Sequence, residues 1–559
     1  MLTLQIRRAI WILILLFATP MVLPLFGRSK LVLPKGGEQP ESPELASIVN
    51  HVIERENQYA SKIVEFSPRV ETYIQYVQPD QELGDVARDD ESFLGRLKFD
   101  NNEKEAAFME DPNSGLARHA PRLRSHLRPD YFAMEAVAAD MGAFDREHYT
   151  FEPVRWEYLG DMRCLALDVH PRKPVGLGAF IGRIWVEDHD YAIVRMNGVR
   201  VHPPRLNFYI HFDCWRENLQ PGLWLPVYIY SEESDLGKRL RYKSMTRLWG
   251  YDLTARRQQQ EWTTIQVDAP APVRDSSEHG ADLSPVESRR LLTIEAEHNV
   301  LDRLEKARLI APPGPVDKVL ETVVDNLKAT NHLDNVPPIQ CRVMMTSSLE
   351  SFSLAYTIVV SRGLIDVLPD EASLAMILAH EIAHIALGHK VGTNYAFNDR
   401  MEVSDEELLA ALDLARSSDD EAAADAKGLE FLKNSPYKDN LAQAGLFLRA
   451  AAAASPNIPH LFGGHLGNGL TEGNHKAIRM AALINAAPAL SPGNVSQIAA
   501  LPLGSRVQVN AWDGSVTFTK RKAVPLVDAT EKMPFQVAPV IPYLTPYAQA
   551  PKIEESARK

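Results

Sequence analysis

The main change in the spacing of apolar residues along this chain is from the alternation of strands to the period of helices. From about Tyr149, short aromatic and β-branched runs follow one another, separated by Gly, Pro or Asp turns. Such runs are typical of an antiparallel sheet. From Val286 onward, apolar residues recur three and four positions apart, which indicates helices with one buried face. The sequence therefore predicts an α+β fold, with an N-terminal antiparallel β-sheet domain followed by a mainly helical domain.

Smaller features divide the chain further. The strand-like pair CRVMMT and YTIVVS predicts a small edge sheet in the helical domain, and VQVNAWDGSVTFTK predicts a hairpin with Asp-Gly at its turn. With 559 residues, the chain is too long for one hydrophobic core. The predicted segments are 1–28, a signal peptide or membrane anchor; 29–119, a linker and helical lead-in; 120–268, the β domain; 269–310, a linker and helix; 311–487, the helical domain; and 488–559, a hairpin and Pro-rich tail.

Charge and cysteine content exclude several classes of protein. The formal net charge is −13, and no long basic stripe is present, which argues against a nucleic-acid partner. Three cysteines are too few for a disulfide scaffold or a Cys-rich zinc cluster. Cys164 and Cys214 both lie in the strand-rich stretch. A disulfide between them and two buried free thiols both remain open at this stage.

The N-terminal segment predicts export. Arg7 and Arg8 precede an apolar run from Ala9 to Phe26, as in a signal sequence. The run is also about long enough to span a bilayer, which takes roughly 17–25 residues. Pro20 and Pro24 interrupt it and no clear cleavage site follows, so cleaved signal and retained anchor both stay open. We expect the rest of the chain to be periplasmic or to be anchored to the membrane by this segment.

The candidate metal-binding and catalytic residues lie in the stretch LPDEASLAMILAHEIAHIALGHK, residues 368–390. His380 and His384 are four residues apart, so both imidazoles project from one helix face and can bind one ion. Glu381 lies one step round the helix, where its carboxylate can act as general base on a metal-bound water. H-E-x-x-H on a helix is the signature of a metalloprotease. Burying these three polar residues in an apolar helix is costly unless they have a task. The sequence therefore predicts one Zn²⁺ per chain.

The third ligand is not a histidine of the H-E-x-x-H-x-x-G-x-x-H pattern. That pattern needs glycine at position 387 and histidine at position 390, where this chain has Leu387 and Lys390. His389 is present, but five residues past His384 it falls on another side of a continuing helix. We expect it to contact a ligand histidine from outside or to lie at the surface.

A glutamate on a later helix is the other solution. SSDDEAAADAKGLEFL, residues 417–432, begins with cap-type serines and continues with good helix formers. Glu421 and Asp425 share one face of this helix. Glu421 can complete His-His-Glu coordination, and Asp425 can accept a hydrogen bond from the far nitrogen of a ligand histidine. Glu402, in the less regular stretch NDRMEVSDEE, is the competing candidate.

The segment VMMTSSLESFSLAYTIVVSRGLIDVLPDEASLAMILAHEIAHIALGH followed by EAAAD resembles a known family. It is similar to the gluzincin metalloendopeptidases that include CAAX-processing, membrane heat-shock and periplasmic chaperone-like peptidases. The resemblance covers about residues 310–485 and rests on H-E-x-x-H plus E-x-x-x-D. It implies a zincin-type fold for residues 311–487, Glu421 as zinc ligand, Asp425 behind a ligand histidine, and protein or peptide substrates.

Two departures from the family pattern bear on the site. The family often has Asn-Ala-Phe near the edge strand, where this chain has Glu350-Ser351-Phe352. It usually has His-Pro several residues before an arginine on a late helix. Here GNHKAIRMAAL keeps Arg479, but Gly473 stands at the histidine position and His475 is nearby. Arg479 and His475 are therefore the candidates for contacts with the transition state.

The β domain resembles, more weakly, the lipoprotein-carrier type of half barrel, on the residues FIGRIWVEDHDYAIVRMNG, 180–198. That resemblance implies an acyl chain on a concave apolar face, and a plain β domain packed on the peptidase is the alternative. The favoured function is an exported zinc-dependent endopeptidase acting on cell-envelope proteins. A lipid- or lipoprotein-binding envelope protein with a latent peptidase domain is the alternative, and a non-proteolytic envelope scaffold is a third reading.

Overall fold

The computed structural model describes most of the two predicted domains. The described residues are 42–80, 84–97, 106–109, 136–140, 142–176, 178–201, 210–233, 241–253, 284–394, 396–398, 403, 405–472, 477–490, 507–509 and 516–518. The chain divides into two compact units, Met1–Ala46 and Ser47–Lys559. Of the first unit only residues 42–46 are described, and they contain the start of helix α1 (Pro43–Ile63).

Ten strands form one antiparallel sheet in the N-terminal half. They are β1 (Arg69–Asp80), β2 (Gly84–Arg96), β3 (Ala106–Met109), β4 (Tyr149–Leu159), β5 (Met162–Pro171), β6 (Phe180–Glu187), β7 (Ile193–Arg200), β8 (Ile210–Gln220), β9 (Leu223–Glu233) and β10 (Arg241–Trp249). Their order is β3-β2-β1-β10-β9-β8-β7-β6-β5-β4, so the meander β4–β10 continues into β1. The predicted antiparallel domain and the α+β class are confirmed.

The sheet begins well before residue 120, where the sequence predicted its start. Residues 29–119 are not only linker and helix, because β1, β2 and β3 lie within them. The alternation of apolar and polar residues was hidden in β1 because both of its faces are buried. Val70 and Ile74 pack on one side, while Glu71, also buried, points to the other. β2 is rich in acidic residues, which strands usually avoid.

One buried ion pair fastens α1 to this sheet. Arg216 of β8 donates to both carboxylate oxygens of Glu56 of α1, at 2.7 and 2.8 Å. Its guanidinium also lies 3.7 Å from the centre of the Tyr59 ring. Buried charges are tolerated when they are paired in this way, so the pair fixes how α1 lies on the sheet.

The second half is mainly helical and contains a small sheet, as predicted. Its helices are α2 (Pro285–Lys306), α3 (Pro315–Thr330), α4 (Arg362–Val367), α5 (Glu371–Leu387), α6 (Asp405–Ala411), α7 (Ser418–Lys433), α8 (Leu441–Ala454) and α9 (Pro459–Phe462). Short 3-10 helices span Lys438–Asn440, Ser455–Asn457 and Ala481–Ala486. The strands are β11 (Gln340–Met344), β12 (Ser351–Leu354) and β13 (Thr357–Ser361), in the order β11-β13-β12, and β14 (Thr471–Glu472) pairs with β15 (Ala477–Ile478). β11 and β13 are parallel, and β12 is antiparallel to β13.

Helix α5 forms the centre of the second domain. Asp370 caps its first turn by accepting a hydrogen bond from Ser373 N at 2.7 Å. Gly388 ends it in the left-handed conformation, with φ of +73°. The helix packs on α7 at very close range, because a Cβ on Gly428 of α7 would meet the Ala379 carbonyl oxygen at 3.1 Å. A glycine at this crossing therefore lets α7 approach the face of α5 that carries the histidines.

Buried carboxylates of the sheet reach into the helical domain. Glu71 of β1 accepts hydrogen bonds from the Ser347 backbone N–H at 2.7 Å and from its hydroxyl at 2.7 Å. Asp90 of β2 accepts from the backbone N–H groups of His460 at 3.0 Å and Leu461 at 2.8 Å. One hydrophobic core also contains residues of both domains, among them Tyr73 from the sheet. The two domains therefore share a packed interface.

Three further predictions concern the termini and the cysteines. The hairpin strands are present as β16 (Val507–Val509) and β17 (Val516–Phe518), which pair antiparallel, while their predicted Asp-Gly turn lies outside the described residues. The predicted export segment, 1–28, also lies outside them. In the part of the chain that the structure describes, no helix is long and apolar enough to cross a membrane. Cys164, Cys214 and Cys341 are all buried and free.

Candidate metal centre

Two helices bring three ligand-type side chains together. His380 and His384 project from the same face of α5, and Glu421 projects from the first turn of α7. The Nε2 atoms of the histidines lie 3.0 Å apart. Glu421 Oε2 lies 3.2 Å from His380 Nε2, and Glu421 Oε1 lies 3.4 Å from His384 Nε2. All three side chains are buried, so the three donors face one another in an enclosed space.

This arrangement fits a zinc ion. Both carboxylate oxygens of Glu421 are buried and neither makes a well-directed hydrogen bond, although Arg479 Nε lies 3.0 Å from Oε2, so both have lone pairs available for a metal. Tetrahedral zinc with bonds of about 2.0 Å places neighbouring donors about 3.3 Å apart, close to the three separations seen here. Two imidazoles and one carboxylate are also the donor set of catalytic zinc sites, which keep a fourth position open.

Asp425 fixes the orientation of His380. Its Oδ1 lies 2.8 Å from His380 Nδ1, and its Oδ2 accepts a hydrogen bond from Met480 N at 2.7 Å. Burial and the charge of Arg479 lower the pKa of His380, but the hydrogen bond with Asp425 and the nearby Glu421 carboxylate outweigh them, so the pKa is raised. A carboxylate behind a ligand imidazole favours a proton on Nδ1 and leaves Nε2 free to bind metal.

His389 lies beside His384 and not on another side of a continuing helix. Gly388 ends α5, so the chain folds back and places His389 Nδ1 2.9 Å from His384 Nδ1. The signal in the sequence was the glycine after the apolar run, a common helix stop. The pKa of His384 is lowered, mainly by burial, which favours the neutral form that binds a metal.

Glu381 is completely buried beside the three donors. Its Oε1 accepts a hydrogen bond from Ser351 Oγ of β12 at 2.7 Å and one from Arg479 Nη1 at 3.3 Å. Its Oε2 has no hydrogen-bond partner and lies 3.9 Å from Arg416 Nη1. Burial raises the pKa of Glu381, but the charge of Arg479 and the nearby histidines outweigh it, so the pKa is lowered. The carboxylate is therefore ionised at neutral pH.

Arg479 links Glu381 to Glu421. Its Nε lies 3.0 Å from Glu421 Oε2, and its Nη2 donates to the carbonyl oxygen of Asn468 at 2.8 Å. Burial raises the pKa of Glu421, yet the charge of Arg479 and contacts with the two histidines hold it far below its ordinary value. Arg479 thus lies where it can contact a substrate oxygen next to the metal donors.

Sequence reasoning missed Arg416. It lies in the loop before α7, and its Nη2 donates to the Ser353 carbonyl oxygen at 2.7 Å and to the Ser353 hydroxyl at 3.1 Å. Its backbone N–H donates to Asn468 Oδ1 at 2.6 Å. An arginine in an irregular loop gives no periodic signal, so only the tertiary fold shows that it reaches β12 and the base.

The residues that depart from the family pattern near the edge strand make specific contacts. Ser351 supplies the hydroxyl that binds Glu381. Glu350 is buried, and its Oε2 accepts hydrogen bonds from Leu466 N at 3.0 Å and Gly467 N at 3.3 Å. The pair therefore holds both the Glu381 carboxylate and the backbone of Leu466 and Gly467. Two other predicted candidates, His475 and Glu402, lie outside the described residues.

A small cleft opens beside the donors. Ser351, His380 and Arg479 form its polar side, and its other lining residues are Met376, Ile377, Leu448, Leu470 and Met480. An apolar wall next to a few polar groups is usual for a site that binds one side chain of a ligand.

Two histidines four apart on one helix, with a glutamate from a second helix, form the three-donor site of a metallopeptidase. Comparison with known families agrees: residues 316–465 match Peptidase family M48, whose members are zinc metallopeptidases. This part of the chain is a metalloprotease domain, of the hydrolase class. No curated protein matches the chain.

Two solved structures align with more than a third of the chain. A LolA superfamily protein from Nitrosomonas europaea is 11% identical, with 37% of this chain and 93% of that chain covered and a TM-score of 0.19. A DUF1329 family protein from Desulfovibrio piger is 10% identical, with 36% and 92% covered and a TM-score of 0.18. At these values they support no statement about the function of the β domain.

Proposed function

We propose that this protein is an exported zinc-dependent endopeptidase that hydrolyses peptide bonds of cell-envelope proteins. The observation that carries the proposal is the buried cluster of His380, His384 and Glu421, in which three donors lie within 4.8 Å of one another, with Glu381 beside it. The match of residues 316–465 to Peptidase family M48 supports the same chemistry.

Each side chain has a role in this proposal. A zinc ion held by the three donors would polarise the scissile carbonyl and lower the pKa of a water molecule. Glu381 acts as general base and takes a proton from the attacking water, then delivers it to the leaving amine. Ser351 and Arg479 hold Oε1 of Glu381, so Oε2 is the oxygen that exchanges the proton. Arg479 stabilises negative charge that develops on the carbonyl oxygen.

Export and envelope substrates rest on the N-terminal sequence alone. The arginine pair and the apolar run in residues 1–28 support export, and they leave both release into the periplasm and anchoring to the membrane open. Substrates in the cell envelope follow from that location. The endopeptidase assignment follows from the resemblance of residues 310–485 to endopeptidase members of the gluzincin family.

Cleavage of an unfolded protein by the purified full-length chain tests the proposal. We expect casein to be degraded by the zinc-loaded protein and its cleavage to fall by about 100-fold or more in Glu381→Gln, because a general base contributes about 10²–10⁴-fold. Zinc content should be unchanged. Glu430→Gln, at an exposed position of α7, is the matched control and should cleave normally. Equal cleavage by Glu381→Gln and the wild type would contradict the proposal.

A second candidate is a lipid- or lipoprotein-binding protein with a latent peptidase domain. One observation favours it. Glu381 and the three donors are at most 2% exposed, so little of the proposed catalytic cluster is in contact with solvent. Zinc binding without cleavage by any variant would favour this candidate.

A further inference from the structure

Nδ1 of His384, the nitrogen that faces away from the other two donors, has a histidine and not a carboxylate as its neighbour. His384 turns Nε2 toward the other two donors, and its Nδ1 lies 2.9 Å from Nδ1 of His389. The backbone N–H of His389 donates to the His384 carbonyl oxygen at 3.0 Å, and Gly388 makes the turn with a positive φ. The two rings are therefore held side by side by the backbone, with centres 5.0 Å apart.

The far side of His389 faces the helix that carries the third donor. His389 Nε2 lies 3.5 Å from Oδ1 of Asp420, the residue directly before Glu421. Ser417 Oγ holds the other Asp420 oxygen at 2.8 Å. A continuous chain of contacts thus runs from His384 through His389 to Asp420, and joins the end of α5 to the start of α7.

Only one arrangement of protons suits this chain when His384 binds a metal. Metal binding through Nε2 leaves the proton of the neutral imidazole on Nδ1. That N–H then donates to His389 Nδ1, so the proton of His389 lies on Nε2 and points at Asp420. His384 therefore donates to His389, His389 donates toward Asp420, and the Asp420 carboxylate only accepts.

We propose that His389 and Asp420 are positioning residues that hold His384 in its Nδ1-protonated tautomer and in the orientation that binds zinc. This inference rests on the proposed zinc site. The two ligand histidines then differ in the partner of Nδ1. His380 contacts the carboxylate of Asp425 directly, whereas His384 contacts a second imidazole, which in turn contacts a carboxylate. Partners of this kind raise the basicity of a ligand imidazole and fix its ring.

The zinc dissociation constant of the full-length protein tests the inference, measured by competition with a chelator. We expect His389→Ala to weaken zinc binding by about 10- to 100-fold, the usual cost of losing such a partner. His389→Asn should stay within about threefold of the wild type, because the Asn oxygen can accept from Nδ1–H in place of the ring nitrogen. Asp420→Asn should weaken binding less than His389→Ala, since Asp420 is 40% exposed.

Asp419→Asn is the matched control, because Asp419 is exposed in the same first turn of α7 and should leave zinc binding unchanged. Thermal unfolding of each variant in excess chelator separates positioning from stability. A positioning role predicts that His389→Ala loses zinc affinity while its metal-free unfolding temperature stays near that of the wild type and of His389→Asn. If His389→Ala fails to fold, comparing the zinc affinity of Asp420→Asn with that of Asp419→Asn tests the same positioning role.

Unchanged zinc affinity in His389→Ala, or equal loss in His389→Ala and His389→Asn, would overturn the inference. Glu421→Gln distinguishes this result from failure of the zinc site itself. If Glu421→Gln weakens zinc binding and His389→Ala does not, only the positioning role is wrong. If Glu421→Gln binds zinc like the wild type, the proposed metal site is wrong and the positioning role falls with it.

Discussion

The hydroxyl of Ser351 donates a hydrogen bond to Oε1 of Glu381 at 2.7 Å, with both side chains buried. Ser351 belongs to the edge strand β12 and Glu381 to helix α5, so the bond joins a strand at the border of the small sheet to the proposed base. It also leaves Oε2 as the oxygen without a hydrogen-bond partner. The orientation of the base therefore depends on the strand beside it.

Ser351→Ala should lower kcat about tenfold with little change in KM, because a hydrogen bond to a charged group contributes about 1.5–3 kcal/mol. Ser435→Ala is the control, since that buried hydroxyl donates to the Leu432 carbonyl oxygen and does not contact Glu381. Steady-state kinetics on one peptide substrate would check both variants. A kcat equal to that of the wild type in Ser351→Ala would show that the bond does not orient the base.

Local periodicity explains why the metal cluster could be predicted from sequence. A spacing of four residues places His380 over His384, and the same spacing places Glu421 over Asp425, whatever else the fold does. The resemblance to gluzincins paired the two motifs, and the structure brings them together between α5 and α7. Gly428 makes that approach close, although nothing in the sequence marks it as a helix contact.

Features that depend on contacts distant in sequence could not be predicted. Arg416 reaches β12 across 63 residues of chain, from a loop without periodicity. The strands that carry Glu71 and Asp90 were assigned to a lead-in because they contain polar residues. These carboxylates are buried because the helical domain packs on them and supplies backbone N–H donors. The periodicity of apolar residues in a sequence indicates which residues are buried, but it does not indicate which part of the protein covers them.

Arg416→Gln should shift the acidic limb of the pH profile of kcat/KM to higher pH. The positive charge of Arg416 is among the groups that lower the pKa of Glu381, after the larger contribution of Arg479. Removing it raises that pKa, so the base stays protonated up to a higher pH and activity at low pH falls. Arg449→Gln is the control, because that arginine binds the Ile484 carbonyl oxygen through Nη2. An acidic limb that coincides with the wild type would contradict the assignment.

Glu71→Ala should destabilise the protein by about 1–3 kcal/mol, because it leaves the buried N–H and hydroxyl of Ser347 without their acceptor. Glu71→Gln keeps an oxygen at the same place and should cost less. Urea unfolding of the metal-free protein measures both. If the two variants are equally stable, the hydrogen bonds to Ser347 do not contribute to holding the domains together.

Gly428→Ala should weaken zinc binding as well as stability. In an exposed helix this change stabilises by up to about 1 kcal/mol, but here the new Cβ would lie 3.1 Å from the Ala379 carbonyl oxygen and 3.2 Å from His380 Cα. α7 must move away from α5 and carry Glu421 with it. Gly176→Ala, where no described atom lies within 4 Å, is the control. Chelator competition and thermal unfolding would show whether affinity and stability fall together.

The stability of the metal-free protein should depend on pH through Glu421 and His380, whose contributions change in opposite directions as pH falls. The pKa of Glu421 is lowered on folding, so its contribution to stability is present above the ordinary carboxyl pKa of about 4.3 and is lost as pH falls below it. The pKa of His380 is raised, so its contribution is present below the ordinary histidine pKa of about 6.5 and is lost as pH rises. These two groups therefore favour the folded metal-free protein most between about pH 4.3 and 6.5.

Added zinc should reverse the loss of stability that the metal-free protein shows as pH rises through the histidine range. Its ligand histidines must be neutral, so zinc binding competes with protons and strengthens as pH rises through the histidine range. We expect added zinc to raise the unfolding temperature little at pH 5 and strongly at pH 8, since a ligand at free concentration c that binds only the folded state stabilises it by RT ln(1 + c/Kd), which grows as binding tightens. Glu421→Gln should remove both the zinc effect and the loss of stability below about pH 4.3. An unfolding temperature that responds to zinc equally at both pH values would mean that the histidines are not ligands.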